Sequence, residues 1–158
     1  MKRAKGFIIA IGVLSITVAV IGLWYNLTTL FTYFSDFVQE HDIPYFYPAF
    51  YTMSAICIGC YIILLICGVQ FVRLRTNVLK LFVAVIIFEV VYFFSIGTLW
   101  LIPNIGMSIG AATGVANGGL MFQAFILFPL WAPFLAGWAA KRLQKIEELP
   151  NKTLEATS

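Results

Sequence analysis

Charge is scarce in this chain of 158 residues: only 11% of its side chains are Asp, Glu, Lys or Arg, against about 25% in an ordinary soluble domain. Apolar residues make up 61% of the chain, which is more hydrocarbon than a soluble fold of this length can hide. The composition therefore excludes a soluble domain. Nucleic acid is not an expected partner, because the net charge of +3 fits membrane topology and anionic lipid.

Residues that carry catalytic or metal chemistry are rare as well. Histidine occurs once and cysteine three times, and the chain contains no P-loop, nucleophile elbow, zinc-protease helix or dinucleotide fingerprint. His41 lies in a run with Asp36, Glu40 and Asp42, but this spacing matches no dedicated metal site. We therefore predict no catalytic residue, no metal and no cofactor, and we expect a protein that is not an enzyme.

Long apolar runs are abundant, and they predict an all-α integral membrane protein. A helix needs about 20 residues to cross the ~30 Å hydrocarbon core of a bilayer, where every backbone amide must find an internal partner. Four runs meet this length, at about residues 6–28, 47–71, 78–102 and 119–140. We predict a single transmembrane domain over residues 1–145, an antiparallel four-helix bundle, and a polar, disordered cytoplasmic tail over residues 146–158.

The basic residues set the predicted orientation. One group opens the chain, a second lies between the second and third runs, and a third follows the fourth run: Lys2, Arg3, Lys5, Arg73, Arg75, Lys80, Lys141, Arg142, Lys145 and Lys152. Because Lys and Arg accumulate on the cytoplasmic side of membranes, both termini are predicted to be cytoplasmic. We expect a bacterial inner membrane, since the chain is small and carries no eukaryotic sorting signal.

Glu89 is the only carboxylate inside a predicted span. It follows Lys80 by nine residues, or ~14 Å of helix, which places it near the middle of the hydrocarbon. A carboxylate at that depth is expected to be protonated or paired. Pairing the second and third spans about Arg75 brings Glu89 to the depth of Tyr61, and Tyr92 is one turn away on its own helix. A hydrogen bond between helices is the favoured role, with proton or cation handling as the alternative.

Two prolines in the fourth span complete this candidate proton or cation site. Pro129 and Pro133 lack a backbone donor, so the carbonyls of Phe125 and Pro129 are expected to lose their helical hydrogen bonds and the helix to kink. Pro129 lies ~18 Å of helix from Lys141, again near mid-bilayer. A broken helix beside a buried acid is typical of transporter sites, although a purely structural kink is the favoured interpretation.

Glycine recurs every fourth residue in the segment that precedes the fourth span, at Gly106, Gly110, Gly114 and Gly118. On a helix this spacing aligns the glycines in one packing groove. The stretch Pro103–Ala140 would extend ~55 Å as one helix, too long for an ordinary span. The glycine-rich segment is therefore predicted to form an outer cap or loop, with a re-entrant half-helix and a seam between copies of the chain as alternatives.

Cys57 and Cys60 form a C-x-x-C motif in the second span, and Cys67 follows. With this motif and four spans, the chain resembles small membrane enzymes that pass electrons from thiols to quinone. The resemblance implies redox chemistry at Cys57 and Cys60. Those enzymes exchange with a second cysteine pair in the second outer loop, whereas no cysteine follows Cys67 here. Buried, inert thiols are therefore the favoured interpretation.

These features predict three classes of function, in decreasing order of preference. The first is a small accessory or assembly protein that acts through helix packing, with another membrane protein or further copies of the chain as its partner. The second is a subunit of a small proton- or cation-coupled transporter or channel that uses Glu89. The third is a thiol and quinone oxidoreductase that uses Cys57 and Cys60.

Overall fold

The computed structural model describes residues 2–32, 46–99, 101–102 and 132–142, and within these ranges the chain is helical with short turns and no strand. Helix α1 spans Lys2–Thr32, α2 spans Phe46–Val72, α3 spans Leu79–Leu99, and residues 132–142 form a further helix, α4. The first three are long and apolar enough to cross a membrane. The prediction of a helical chain is confirmed for the described residues, and so is the prediction that these three long apolar helices could span a membrane.

Several predicted features lie outside the described residues. They are the acidic loop with His41, the glycine series from Gly106 to Gly118, Pro129, and the tail over residues 146–158. The predicted fourth span, residues 119–140, is described only from residue 132 onward. The cap or loop, the kink at Pro129 and the complete four-helix bundle therefore stay predictions.

One face of α1 packs along α2. Buried residues recur along α1 at every third or fourth position, and in its central part they are small or polar: Gly12, Ser15, Ala19, Gly22 and Asn26. A spacing of seven residues in two turns keeps such residues on one side of a helix. Helices in lipid associate through close van der Waals packing, which small residues permit. This face therefore brings the two backbones together.

The backbones of α1 and α2 approach each other closely at Gly12 and Gly68. A Cβ atom on Gly12 would lie 2.8 Å from the Gly68 carbonyl oxygen and 2.9 Å from the Val72 nitrogen. A Cβ atom on Gly68 would likewise lie 2.8 Å from the Gly12 carbonyl oxygen. Heavy atoms in contact prefer about 3.5–4.0 Å, so a side chain at either position would force the helices apart.

A short turn over residues 73–78 joins α2 to α3. The Arg75 amide donates to the Gln70 carbonyl and the Leu74 amide to the Phe71 carbonyl, at 2.9 Å each, which is the pattern of a Schellman cap. Leu74 has a φ of 59°, a left-handed conformation that glycine adopts more easily. Its side chain packs against the buried core, and this packing offsets the backbone cost.

Helix α4 lies beside both α1 and α3. The ring of Trp138 meets Phe7 of α1 edge to face, with centroids 5.9 Å apart. On its other side, Pro133 lines a groove with Val83 and Val90 of α3. The buried residues of α4 are all alanines: Ala132, Ala136, Ala139 and Ala140.

The basic residues of the described helices and of the turn over residues 73–78 gather at one end of the described structure. The start of α1 lies against the end of α2, where Gly12 meets Val72, and the contact of Phe7 with Trp138 brings the end of α4 to the same place. Residues at this end include Arg3, Lys5, Arg73, Arg75, Lys80, Lys141 and Arg142. We call this the basic end.

Candidate functional site

Polar side chains from three helices meet in the interior of the described structure. Glu89, the only carboxylate among the described residues, is 4% exposed. Cys57, Cys60 and Tyr61 of α2 all lie close enough to interact with it electrostatically. Glu89 is ten residues beyond the start of α3, or ~15 Å along the helix, which is half the thickness of the hydrocarbon core. The meeting point therefore lies about midway along a helix that is long enough to cross a membrane.

Tyr61 occupies the centre of this region. Among the described residues it is the largest fully buried side chain. The hydroxyl end of its ring fills the space beside Gly22, where any Cβ atom would overlap the ring carbons. The Tyr61 hydroxyl oxygen is buried and has no hydrogen-bond partner among the described residues. The absence of a side chain at Gly22 is what admits the tyrosine between α1 and α2.

Asn26 adds a polar group from α1 that the sequence analysis missed. Its Nδ2 donates to the Gly22 carbonyl at 3.0 Å, so the amide of Asn26 and the ring of Tyr61 converge on the same glycine. Its Oδ1 is buried and lacks a hydrogen-bond partner in the described parts of the chain. The sequence does distinguish this residue, because Asn26 is the only side-chain amide in α1. Polar side chains inside membrane helices are candidates for functional sites.

Tyr92 connects α3 to the cysteines. It lies one turn from Glu89 and within hydrogen-bonding reach of Cys57 on α2. Its ring also stacks on Phe88, with centroids 6.2 Å apart. We use the name interior polar cluster for Asn26, Cys57, Tyr61, Glu89 and Tyr92.

The three cysteines are free and buried. Thiols shielded by apolar neighbours react slowly with soluble partners, because the reactive thiolate is disfavoured there. Cys57 and Cys60 both lie near Glu89, and a neighbouring acid does not activate a thiol. The structure therefore places all three thiols inside the protein and away from its surface.

The structure brings only part of the predicted proton or cation site together. Tyr61, Tyr92 and Glu89 lie in the interior polar cluster. Pro133 instead lines the groove between α3 and α4, and Glu89 is not among the described residues that line that groove. Within the described ranges, no group of three His, Cys, Asp or Glu side chains is placed to hold a metal ion.

Chemically, the interior polar cluster can connect three helices through hydrogen bonds. A carboxyl group in hydrocarbon is most stable as a neutral acid or in a pair, and a neutral acid donates one hydrogen bond and accepts others. Asn26 and Tyr61 offer buried oxygen acceptors from α1 and α2. The cluster is suited to fixing helix register, and its oxygens could also hold a proton or a small cation.

Comparison with known proteins places the chain in no family: no protein-family model, no curated protein and no solved structure matches it. The class of the protein follows from the helices themselves. The described part of the chain is α-helical, and three of its helices are capable of crossing a membrane.

Proposed function

We propose that the chain is a small accessory or assembly protein of the cell membrane that acts by packing its helices against a membrane partner. The proposal includes an antiparallel four-helix bundle with both termini on the cytoplasmic side. Its main support is the burial of Glu89 among side chains of α2. With this acid inside the protein, the outer surface of the described helices is apolar. Large side chains on that surface include Trp24, Phe31, Phe94 and Phe134.

Replacement of Glu89 by glutamine tests whether the acid serves only to join helices. Glutamine keeps the shape and a donor, so Glu89→Gln is expected to cost about 1 kcal/mol of unfolding free energy or less. Glu89→Leu, the matched control, removes every hydrogen bond and is expected to cost more. Denaturant titration in mixed micelles measures both. Collapse of the fold in Glu89→Gln would contradict a packing role.

The assembly role predicts a second protein chain against the outer aromatic surface. A photoreactive phenylalanine analogue at Phe31, Phe94 or Phe134, introduced in native membranes, is expected to form an adduct with another protein or a second copy at one or more of these positions. The same analogue at buried Phe82 is the control and should crosslink within the chain. Adducts with lipid alone at all three outer positions would argue against assembly.

Proton or cation handling is the second candidate, favoured by the buried Tyr61 hydroxyl and Asn26 Oδ1. In proteoliposomes this function would appear as a pH-dependent flux that Glu89→Gln abolishes while the protein stays folded. A wild-type protein that carries no such flux removes this candidate and leaves the packing role standing.

A further inference from the structure

An open groove lies at the basic end between α1 and α4. It has a volume of about 780 Å³ and is lined by Arg3, Gly6, Phe7, Ala10, Trp138 and Arg142. Ligand sites commonly measure about 300–1,000 Å³. The groove therefore has the size of a binding site, with an apolar floor and one arginine from each of two helices.

The two arginines give the groove a definite chemistry. Guanidinium groups bind phosphate through parallel hydrogen bonds and remain charged at any physiological pH. The Arg142 guanidinium lies over the Trp138 ring, 4.5 Å from its centroid, a cation–π contact that holds the side chain beside the groove. No carboxylate in the described residues lies at the basic end, since Glu89 is the only one and is buried in mid-helix.

The floor of the groove suits a hydrocarbon chain. A Cβ atom added to Gly6 would meet nothing within 4 Å, so the floor is open at this residue. Phe7 and Trp138 are each partly exposed there, and tryptophan is enriched at the headgroup level of membranes. The groove thus presents cations at its polar end and aromatic and aliphatic surface along its length.

We propose that this groove binds one anionic phospholipid, with the phosphate between Arg3 and Arg142 and the upper part of an acyl chain along Gly6 and Ala10. Basic pockets between membrane helices are known to take anionic headgroups. The charge of the groove matches an anionic headgroup, whereas a zwitterionic lipid adds a cation where two are already present. This inference is independent of the proposed function.

The test measures which lipids stay with the purified full-length chain. The protein is equilibrated with phosphatidylglycerol and phosphatidylcholine of the same acyl chains, and retained lipid is counted by native mass spectrometry. We expect phosphatidylglycerol to be retained in preference. Arg3→Gln with Arg142→Gln is expected to weaken its binding about 30-fold, the effect of two basic residues near an anionic lipid surface.

Two further variants distinguish binding in the groove from general electrostatic attraction between anionic lipid and the basic end. Arg73→Gln with Arg75→Gln removes the same charge from the same end but outside the groove, and it should retain the lipid. Gly6→Leu leaves the charge unchanged and fills the floor, and it should release the lipid. Three results would each overturn the proposal. The first is an equal loss of lipid binding in the Arg73 and Arg75 variant, the second is equal retention of phosphatidylcholine, and the third is displacement of the lipid by inorganic phosphate.

Discussion

Replacing Gly68 by leucine is expected to drive α1 and α2 apart and to lower the free energy of unfolding by about 1–3 kcal/mol, the usual range for overpacking. The expectation follows from distance, because a Cβ atom at this position already lies 2.8 Å from a backbone oxygen of Gly12. Backbone atoms cannot move aside as a flexible side chain can. The helices must therefore separate, and contacts along the whole of the α1–α2 interface weaken together.

Gly59 supplies the matched control on the same helix. A Cβ atom there meets nothing within 4 Å, so Gly59→Leu is expected to leave stability unchanged or to raise it slightly through better helix propensity. Unfolding both variants with denaturant in the same micelles gives the comparison. If both variants lost a similar amount of stability, the loss would come from replacing any glycine of α2 by leucine. That result would refute the proposed backbone contact at Gly68.

Truncation of Tyr61 to alanine is expected to cost about 3–5 kcal/mol, the range for removing a large buried ring. Tyr61 is fully buried between α1 and α2, and its removal leaves a cavity beside Gly22. In wild type, Gly22→Val places a side chain where the Tyr61 ring lies and is expected to destabilise strongly. In the Tyr61→Ala protein the same valine enters the cavity. The two changes should therefore be far less costly together than their sum.

Tyr61→Phe is the control for this pair. The Tyr61 hydroxyl has no hydrogen-bond partner among the described residues, so its removal should change the unfolding free energy little and can even raise it. A large loss in Tyr61→Phe would mean that the hydroxyl holds a hydrogen bond that matters. Additive costs for Gly22→Val and Tyr61→Ala would mean that the two residues do not meet.

The long helices were predictable because hydrocarbon thickness sets their length. The predicted spans at about residues 6–28, 47–71 and 78–102 lie close to Lys2–Thr32, Phe46–Val72 and Leu79–Leu99. The largest difference is in α1, which is longer at both ends. Apolar character reports the part of a helix that lies in lipid, whereas the helical backbone continues into polar residues as long as its hydrogen bonds are satisfied.

The packing surface was harder to predict. The regular spacing of Gly106, Gly110, Gly114 and Gly118 predicts a packing groove, but these residues lie outside the described ranges. The described close contacts use Gly12, Gly22 and Gly68, which are isolated in apolar runs. Only their register against a second helix distinguishes them from other glycines, and Gly6 and Gly59 face open space. Small residues at heptad spacing in α1 carried the relevant signal. Pairing them with α2 requires coordinates.

The position of the candidate site along the helices could be predicted from the sequence, whereas its residues could be predicted only in part. Counting helical rise places Glu89 and Tyr61 in one layer, and the structure brings them near each other. The predicted site contains no residue of α1 and therefore lacks Asn26. Pro133 shares the approximate depth of the site, but depth does not determine which face of a helix a residue occupies, and Pro133 lies in a different groove.

The contact of Gly12 with Gly68 bears on the order in which the protein is made. It joins α1 to α2, and both precede α3 in the chain, so a nascent polypeptide can pair these two helices before α3 leaves the ribosome. Glu89 is then synthesised in time to meet a surface that already carries Tyr61. Contact with a polar side chain lowers the free-energy cost of inserting a carboxyl group into hydrocarbon. That cost is highest when the group is surrounded by lipid alone.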